Sequence, residues 1–193
     1  HARAASLFEA VAASCRADPR LAVKALYQGG KAYASADRCG DAIRLFGSVE
    51  TDFKDHSFAD DARLNAARCH LALGNRGEFE ALLKTLPDIY PNGDMRAEAL
   101  WELAFDALGR NDNAAARDAL SRYHEEFPVE EGWYAAGRSG YWLGRVEESL
   151  GEVESAATAY EHVIATAPLT YYMVLAYARL KIVDPEKTEA LLD

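Results

Sequence analysis

The sequence has few prolines and cysteines, and no long apolar run, and each scarcity excludes a class of protein. Six prolines in 193 residues leave room for long helices, and no segment alternates apolar and polar residues as a half-buried strand does. The three cysteines are odd in number and show no CxxC spacing, which argues against a disulfide framework and against a zinc site. No run reaches the roughly 20 apolar residues of a membrane span. We therefore expect an all-α protein without a transmembrane segment or a metal site.

An excess of acidic residues sets the charge of the chain. There are 31 acidic and 21 basic residues, which gives a formal net charge of −10. Such a field repels phosphate, so we expect no nucleic-acid partner. The chain begins His-Ala-Arg rather than Met, and we interpret it as a fragment or a processed chain.

Apolar residues recur at the helical spacing i, i+3, i+4 and i+7 along most of the chain. The pattern predicts helices over 3–16, 20–36, 41–53, 58–73, 76–88, 95–108, 112–126, 131–149, 152–166 and 170–183. Ser57 followed by Asp60 resembles a capping box at the start of one of them. Asp184 with Pro185 predicts the start of a short final turn.

The chain also repeats a pattern of four residue types. A small residue is followed after twelve positions by a second small residue, four later by a large apolar residue and eight later by a proline. The first small residues, which we call the crossing positions, are Gly30, Ala67, Ala104 and Gly144. The second small set is Ala42, Phe79, Ala116 and Ala156, the large apolar set is Phe46, Leu83, Leu120 and Tyr160, and the terminators are Lys54, Pro91, Pro128 and Pro168. Only Phe79 and Lys54 depart from the pattern.

This pattern is typical of tetratricopeptide repeats, in which small residues let two helices cross closely and stacked helical hairpins share a core. It predicts an all-α, tetratricopeptide-like right-handed α-solenoid of about four helical hairpins plus flanking helices. We expect one domain over 1–193. Its predicted parts are an N-terminal helix region over 1–22, repeats over 23–59, 60–96, 97–136 and 137–168, and a capping or joint helix over 169–193.

The first helix of each hairpin is expected to line a binding groove. Aromatic residues three positions before the crossing position and cations one position after it are the types that dominate recognition surfaces. The predicted groove residues are Tyr27, Lys31, Arg68, Trp101, Tyr141 and Arg145. Leu64 and Phe105, at equivalent positions, fit packing roles better. The groove could hold an extended peptide, stack on a sugar ring or bind a carboxylate.

No catalytic constellation assembles from the sequence. His124-Glu125-Glu126 begins like HExxH, but Pro128 stands in place of the second histidine. Cys69 and His70 are neighbours on a helix and point about 100° apart, so they cannot form a dyad. We predict a non-enzymatic chain without catalytic residues, cofactor or metal.

The C-terminal third resembles the α-superhelical region of soluble lytic transglycosylases. The resemblance rests on Tyr141-Trp142-Leu143-Gly144-Arg145 and on Pro168, Tyr171, Tyr172, Leu175, Ala176, Arg179 and Leu180, with Met173 where that family usually has glycine. It implies a non-catalytic arm that precedes a lysozyme-like domain, positions peptidoglycan glycan or partners, and uses Tyr171 and Tyr172 as the joint. The residues around 46–66 resemble instead the tetratricopeptide scaffold lipoproteins of outer-membrane assembly, which bind partner chains. Both resemblances imply the bacterial periplasm or outer membrane, while a cytoplasmic adaptor that binds peptide tails stays open.

Overall fold

The computed structural model describes residues 1–15, 18–128, 130 and 135–190, and this part of the chain is helical without any strand. The helices are α1 (Ala2–Ser14), α2 (Pro19–Ala34), α3 (Cys39–Asp52), α4 (Ala59–Ala72), α5 (Arg76–Ile89), α6 (Arg96–Gly109), α7 (Asn113–Glu126), α8 (Arg138–Leu150), α9 (Val153–Thr166), α10 (Tyr171–Val183) and α11 (Pro185–Ala190). None of these helices is long and apolar enough to cross a bilayer.

The predicted helix boundaries agree with the observed ones to within two residues, except at α8. The sequence predicts this helix from residue 131, but it begins at Arg138. Residues 135–137 form a turn that ends at Gly137 in the left-handed conformation, with φ of 84°. That conformation is uncommon for residues with a Cβ atom and interrupts a helix. The first four residues of the predicted helix, 131–134, lie outside the described residues.

The repeat pattern is confirmed at its sites of close contact. Every member of the second small set and of the large apolar set is fully buried, including Phe79, the one large residue in a small position. The two glycine crossing positions show the steric reason. A Cβ atom on Gly30 would lie 2.5 Å from Cε1 of Phe46, and one on Gly144 would lie 2.5 Å from Cε1 of Tyr160. In these two hairpins, the first helix thus presents its backbone to a ring sixteen residues ahead.

The terminators end the second helices. Helices α3, α5, α7 and α9 all end two residues before the terminator of their repeat. A proline disfavours helical backbone at the residue before it, which explains three of these ends. The fourth terminator is Lys54, and α3 ends there without a proline.

Capping follows the sequence at one predicted site and not at the other. Asp184 accepts a hydrogen bond from the Lys187 amide at 3.0 Å, as predicted for the start of α11. The predicted capping box at α4 is wrong, because Phe58 occupies the N-cap without a side-chain bond. Asp60 is instead buried and accepts from the amide of Met95 at 3.1 Å.

The chain divides into two compact units, residues 1–99 (unit 1) and 100–193 (unit 2). Unit 1 has its core between α1 and α5, around Val23, Leu45, Phe46 and Val49. Unit 2 has two core clusters, one around Ala104, Leu120 and Val146 and one around Tyr160, Val163, Ala176 and Leu180.

Candidate binding surface

Six aromatic rings of unit 2 follow one another across the first helices α6, α8 and α10. In order of contact, this aromatic row is Trp101, Phe105, Trp142, Tyr141, Tyr172 and Tyr171. Successive ring centroids are 5.4, 6.2, 5.6, 5.7 and 5.3 Å apart. These separations fall within the range of favourable aromatic pairs.

The helices explain why the rings meet. Trp101 and Phe105 are four residues apart, so they lie on one face of α6. Thr170 caps α10, since its Oγ1 accepts from the Met173 amide at 3.2 Å. This cap starts the helix at Tyr171 and places both tyrosines in its first turn.

The rings of the row differ in exposure: two are exposed, three are half-buried and one is buried. Phe105 is 54% exposed and Tyr171 is 60% exposed. Trp101, Trp142 and Tyr172 are half-buried, and Tyr141 is buried. Large apolar groups that stay exposed beside other exposed or half-buried rings are typical of an interaction site.

Arg138 packs against Trp101, the ring at one end of the row. The guanidinium carbon of Arg138 lies 3.9 Å from the ring centroid of Trp101, and its Nη2 donates to the hydroxyl of Tyr123 at 3.3 Å. Glu130 faces Arg138 from 4.0 Å and accepts from the Ser139 amide at the start of α8. Burial raises the pKa of Glu130, while its hydrogen bonds and Arg138 oppose this rise. The Trp101 ring is therefore fixed by a cation–π contact.

Two of the predicted groove aromatics are core residues rather than exposed rings. Tyr27 packs on Phe46 with centroids 6.1 Å apart, and Tyr141 packs on Tyr160 at 6.0 Å. The reason is the helical period: three positions before a crossing position, a side chain lies about 60° from it on the adjoining turn. It therefore meets the same ring of the second helix that the crossing position meets.

The tyrosine hydroxyls reach polar partners at the edge of the core. Tyr27 donates to Asp61 Oδ1 at 3.1 Å, and burial followed by the charge of Asp61 raises its pKa to about 12. The Tyr141 hydroxyl accepts from Arg145 Nη1 at 3.3 Å.

The predicted cations lie one position after the crossing positions and each has a partner. Lys31 is exposed and lies 5.5 Å from the ring centroid of Tyr27. Arg68 is exposed and pairs with Glu98 at 3.5 Å. Arg145 is half-buried and pairs with Glu148 at 3.6 Å. A single groove that unites these cations with Trp101 stays a prediction.

Phe105 corrects the sequence analysis in the opposite direction. The sequence predicts a packing role for it, but one position after a crossing position corresponds to a rotation of about 100°, which takes a side chain out of the helix contact. Trp142 belongs to the row but not to the predicted groove, and its signal is its place two positions before the crossing glycine of α8. Tyr171 and Tyr172 join the aromatic row, and their predicted role as a domain joint stays a prediction.

Two clusters of titratable groups contain no residue of the aromatic row. Carboxylate oxygen atoms of Asp60, Asp61 and Asp94 in unit 1 lie within 4.8 Å of one another, close enough to coordinate one cation together. Asp60 and Asp61 already accept from the Met95 amide and the Tyr27 hydroxyl. Neither observation points to a bound metal.

The second cluster joins α7 and α9 in unit 2. The rings of His124 and His162 have centroids 4.7 Å apart at 85°, beside a cavity of about 280 Å³ that Glu130 and Ser139 help to line. Burial, followed by the charge of His162, lowers the pKa of His124.

Comparison with known proteins places this arrangement in a known fold. The sequence profile of the tetratricopeptide repeat matches residues 33–104. No protein of curated function matches the sequence significantly. The fold resembles that of MamA, with 23% identity, 82% of this chain and 84% of that chain covered and a TM-score of 0.55.

Two further structures show the same likeness. A MamA RS-1 ArsTM double mutant matches with 14% identity over 86% of this chain and 84% of that chain, with a TM-score of 0.58. A putative kinesin light chain of Podosopora anserina with nearly identical TPR-like repeats matches with 16% identity over 88% and 91%, with a TM-score of 0.57. The predicted fold class, an all-α tetratricopeptide-like solenoid with four helical hairpins and flanking helices, is confirmed.

Proposed function

We propose that the protein is a non-catalytic binding module that holds an extended segment of a protein partner against the aromatic row. The observation that carries the proposal is the unbroken contact of six rings, two of which expose more than half of their surface. The tetratricopeptide-like fold supports it, because repeat arrays present the faces of their first helices as binding surfaces.

The dimensions and chemistry of the row suit an extended chain. Five contacts of 5 to 6 Å give the row a contour on the order of 30 Å, the reach of about nine extended residues. Phe105 and Tyr171 offer apolar area at its two exposed places, while Arg138 is occupied by Trp101 and Glu130. We therefore expect apolar side chains, including those of proline, to provide most of the affinity of the partner segment, with charge contributing less.

A second candidate function is binding of a sugar chain. It corresponds to the hypothesis that the chain is part of a lytic-transglycosylase-like envelope protein. Exposed aromatic rings also stack on sugar rings, and four of the six rings come from the two segments that resemble that family, Tyr141-Trp142 and Tyr171-Tyr172. On this hypothesis the chain is a periplasmic or outer-membrane-associated arm that faces peptidoglycan. The structural likenesses found above give no support to a transglycosylase parent.

Selection from a random peptide library displayed on phage tests the first candidate. We expect enriched peptides to bind the wild-type protein and to lose at least about tenfold in affinity for a Phe105→Ser, Tyr171→Ser variant, because each serine removes exposed apolar contact area. The control is Phe8→Ser, which changes a ring of α1 in unit 1 that is 37% exposed. Equal loss in the control, or no loss in the double variant, would contradict the proposal.

Sedimentation with purified peptidoglycan separates the second candidate from the first. Binding that the Phe105→Ser, Tyr171→Ser variant loses and the Phe8→Ser control keeps would favour a glycan ligand. The exposed rings are the right ones to change, since truncating buried Tyr141 would also remove its packing on Tyr160.

A further inference from the structure

The rings of two histidines meet where α7 and α9 of unit 2 approach each other. His124 lies in the last turn of α7, and His162 lies in the C-terminal half of α9. Their ring centroids are 4.7 Å apart, and their planes stand at 85° to each other. The expectation of a chain without a metal site rests on cysteine spacing and on the incomplete HExxH motif. Neither covers this pair, because the two residues belong to different hairpins.

Open space lies beside the two imidazole rings. Both histidines line the cavity of about 280 Å³ described above and also a second cavity of about 410 Å³. Gly140 of α8 lines both cavities as well, and a Cβ atom on it would lie 3.9 Å from Cε1 of His124. Because this position has no side chain, the space beside the rings stays free. Either cavity is large enough for an ion and several water molecules, since one water occupies about 30 Å³ of the liquid.

The His162 ring has a buried nitrogen atom without a partner. Its Nε2 is inaccessible to solvent and forms no hydrogen bond within the part of the chain that the structure describes. A buried polar atom of this kind calls for an explanation, and a bound water or ion is one. Burial, followed by the charge of His162, lowers the pKa of His124. Its imidazole is therefore neutral near pH 7, which is the form that binds a metal ion.

We propose that His124 and His162 bind one divalent transition-metal ion, which links α7 to α9 and thereby joins two successive hairpins of unit 2. Imidazole suits Zn²⁺, Cu²⁺ and Ni²⁺, whereas Mg²⁺ and Ca²⁺ take oxygen ligands. An ion about 2.0 Å from one nitrogen of each ring puts the centroids about 4.5 Å apart when the two bonds are perpendicular, and about 5.2 Å apart at the tetrahedral angle. The observed 4.7 Å lies between these values.

Coordination needs only a rotation of the two rings. The angle of 85° between the planes is compatible with a shared ion, because an imidazole can turn about its metal–nitrogen bond without lengthening that bond. Rotation about the Cβ–Cγ bonds aims one nitrogen of each ring at the ion, and water fills the remaining positions. Among the described residues, no carboxylate completes a group of three ligands with the two histidines. We therefore expect weaker binding than at a site with three or four protein ligands.

The test is calorimetric titration of the folded full chain with zinc sulfate, in a buffer that does not bind metals. We expect one Zn²⁺ per chain and a rise in the thermal midpoint that EDTA reverses. His124→Gln and His162→Gln should each weaken binding at least about tenfold, because one of two protein ligands is lost. The matched control is His70→Gln, since His70 also has a buried nitrogen without a partner among the described residues. A His1→Ala background removes the imidazole of the first residue as a competing ligand.

A second readout uses the wild-type protein alone and does not depend on the folding of a variant. Zn²⁺ should slow the modification of His124 and His162 by diethylpyrocarbonate, mapped by peptide mass, and should leave His56 unchanged. No Zn²⁺ binding, or binding that both glutamine variants retain, would overturn the proposal. Binding that Asp60→Asn removes would assign the ion to the acidic cluster of unit 1 and would overturn it too. Failure of this site leaves the peptide-binding proposal untouched, because no residue of the aromatic row takes part in it.

Discussion

The hairpin α2–α3 of unit 1 and the hairpin α8–α9 of unit 2 pack by the same steric rule but differ in polar chemistry. In each, a glycine admits the ring that lies sixteen residues ahead, Phe46 in the first and Tyr160 in the second. Phe46 ends in an apolar ring edge, whereas the Tyr160 hydroxyl donates to Glu148 at 3.0 Å. The repeat therefore fixes where the ring lies, and the substituent on the ring is free to serve another purpose.

That purpose in unit 2 is to attach α10. Glu148 also accepts two hydrogen bonds from Arg179 of α10, one of them from Nε at 3.0 Å. Burial and then the charge of Glu148 raise the pKa of Tyr160, so the phenol stays a donor at neutral pH. The α2–α3 hairpin lacks an acceptor at the equivalent position, because Ala34 stands four residues after its crossing glycine where Glu148 stands in α8. The anchored helix is the one that carries Tyr171 and Tyr172.

Among the substitutions that test this difference between the hairpins, Glu148→Ala should change the free energy of unfolding most. The substitution removes the acceptor of both Tyr160 and Arg179 and should lower the free energy of unfolding by about 3 kcal/mol, because three hydrogen bonds of about 1 kcal/mol each are lost. Urea denaturation measures the loss. A matched Glu152→Ala change at the exposed start of α9 should cost well under 1 kcal/mol. Equal losses would mean that Glu148 is not an anchor.

Adding a methyl group at the shared glycines should have the next largest effect. Gly30→Ala and Gly144→Ala each force a Cβ atom into a ring, and we expect losses of about 2 kcal/mol, within the range for overpacking. Gly47→Ala in α3 has open space around its Cβ and should instead stabilise by about 0.5–1 kcal/mol. If all three variants stabilise the protein, the close crossing is wrong.

Exchanging the two rings should give a smaller, asymmetric effect. Tyr160→Phe loses one hydrogen bond and should cost about 1 kcal/mol, while Glu148 keeps Arg179. Phe46→Tyr places a hydroxyl near Ala34, which has no side-chain acceptor, and should cost about 1–3 kcal/mol. Thermal or urea unfolding of the two variants compares these costs. A stabilising Phe46→Tyr change would show that unit 1 already offers a polar partner.

The smallest expected effect concerns pH and the His124–His162 contact. The folded-state pKa of His124 lies below its unfolded value near 6.5, so the folded protein binds fewer protons and its stability falls as pH drops through this region. The effect on stability should be small, because the imidazole is only half-buried and solvent screens its charge. His124→Gln should flatten the dependence of unfolding free energy on pH between 7 and 5, as measured by urea denaturation at each pH. An unchanged slope in His124→Gln would contradict this account.

The sequence predicted what depends on sterics repeated along the chain. Crossing positions such as Gly30 and Gly144 follow from spacing alone, because a small residue and a ring recur at one separation. The sequence did not reveal which side chains leave the contact. The spacing predicts Tyr27 in the groove and Phe105 in the packing, whereas Tyr27 is buried and Phe105 is exposed, since spacing gives an order along the helix and a rotation of 60° or 100° decides burial.

The central claim is that the aromatic row is the binding surface, and hydroxyl-radical footprinting with the tightest-binding library peptide tests it most directly. This method measures how fast exposed side chains are oxidised, and Phe105 and Tyr171 expose enough ring to be read individually. We predict that bound peptide slows oxidation of both rings at least about threefold and leaves Phe8 unchanged, since an occupied hot spot excludes water. Unchanged oxidation of Phe105 and Tyr171 in the saturated complex would contradict the claim.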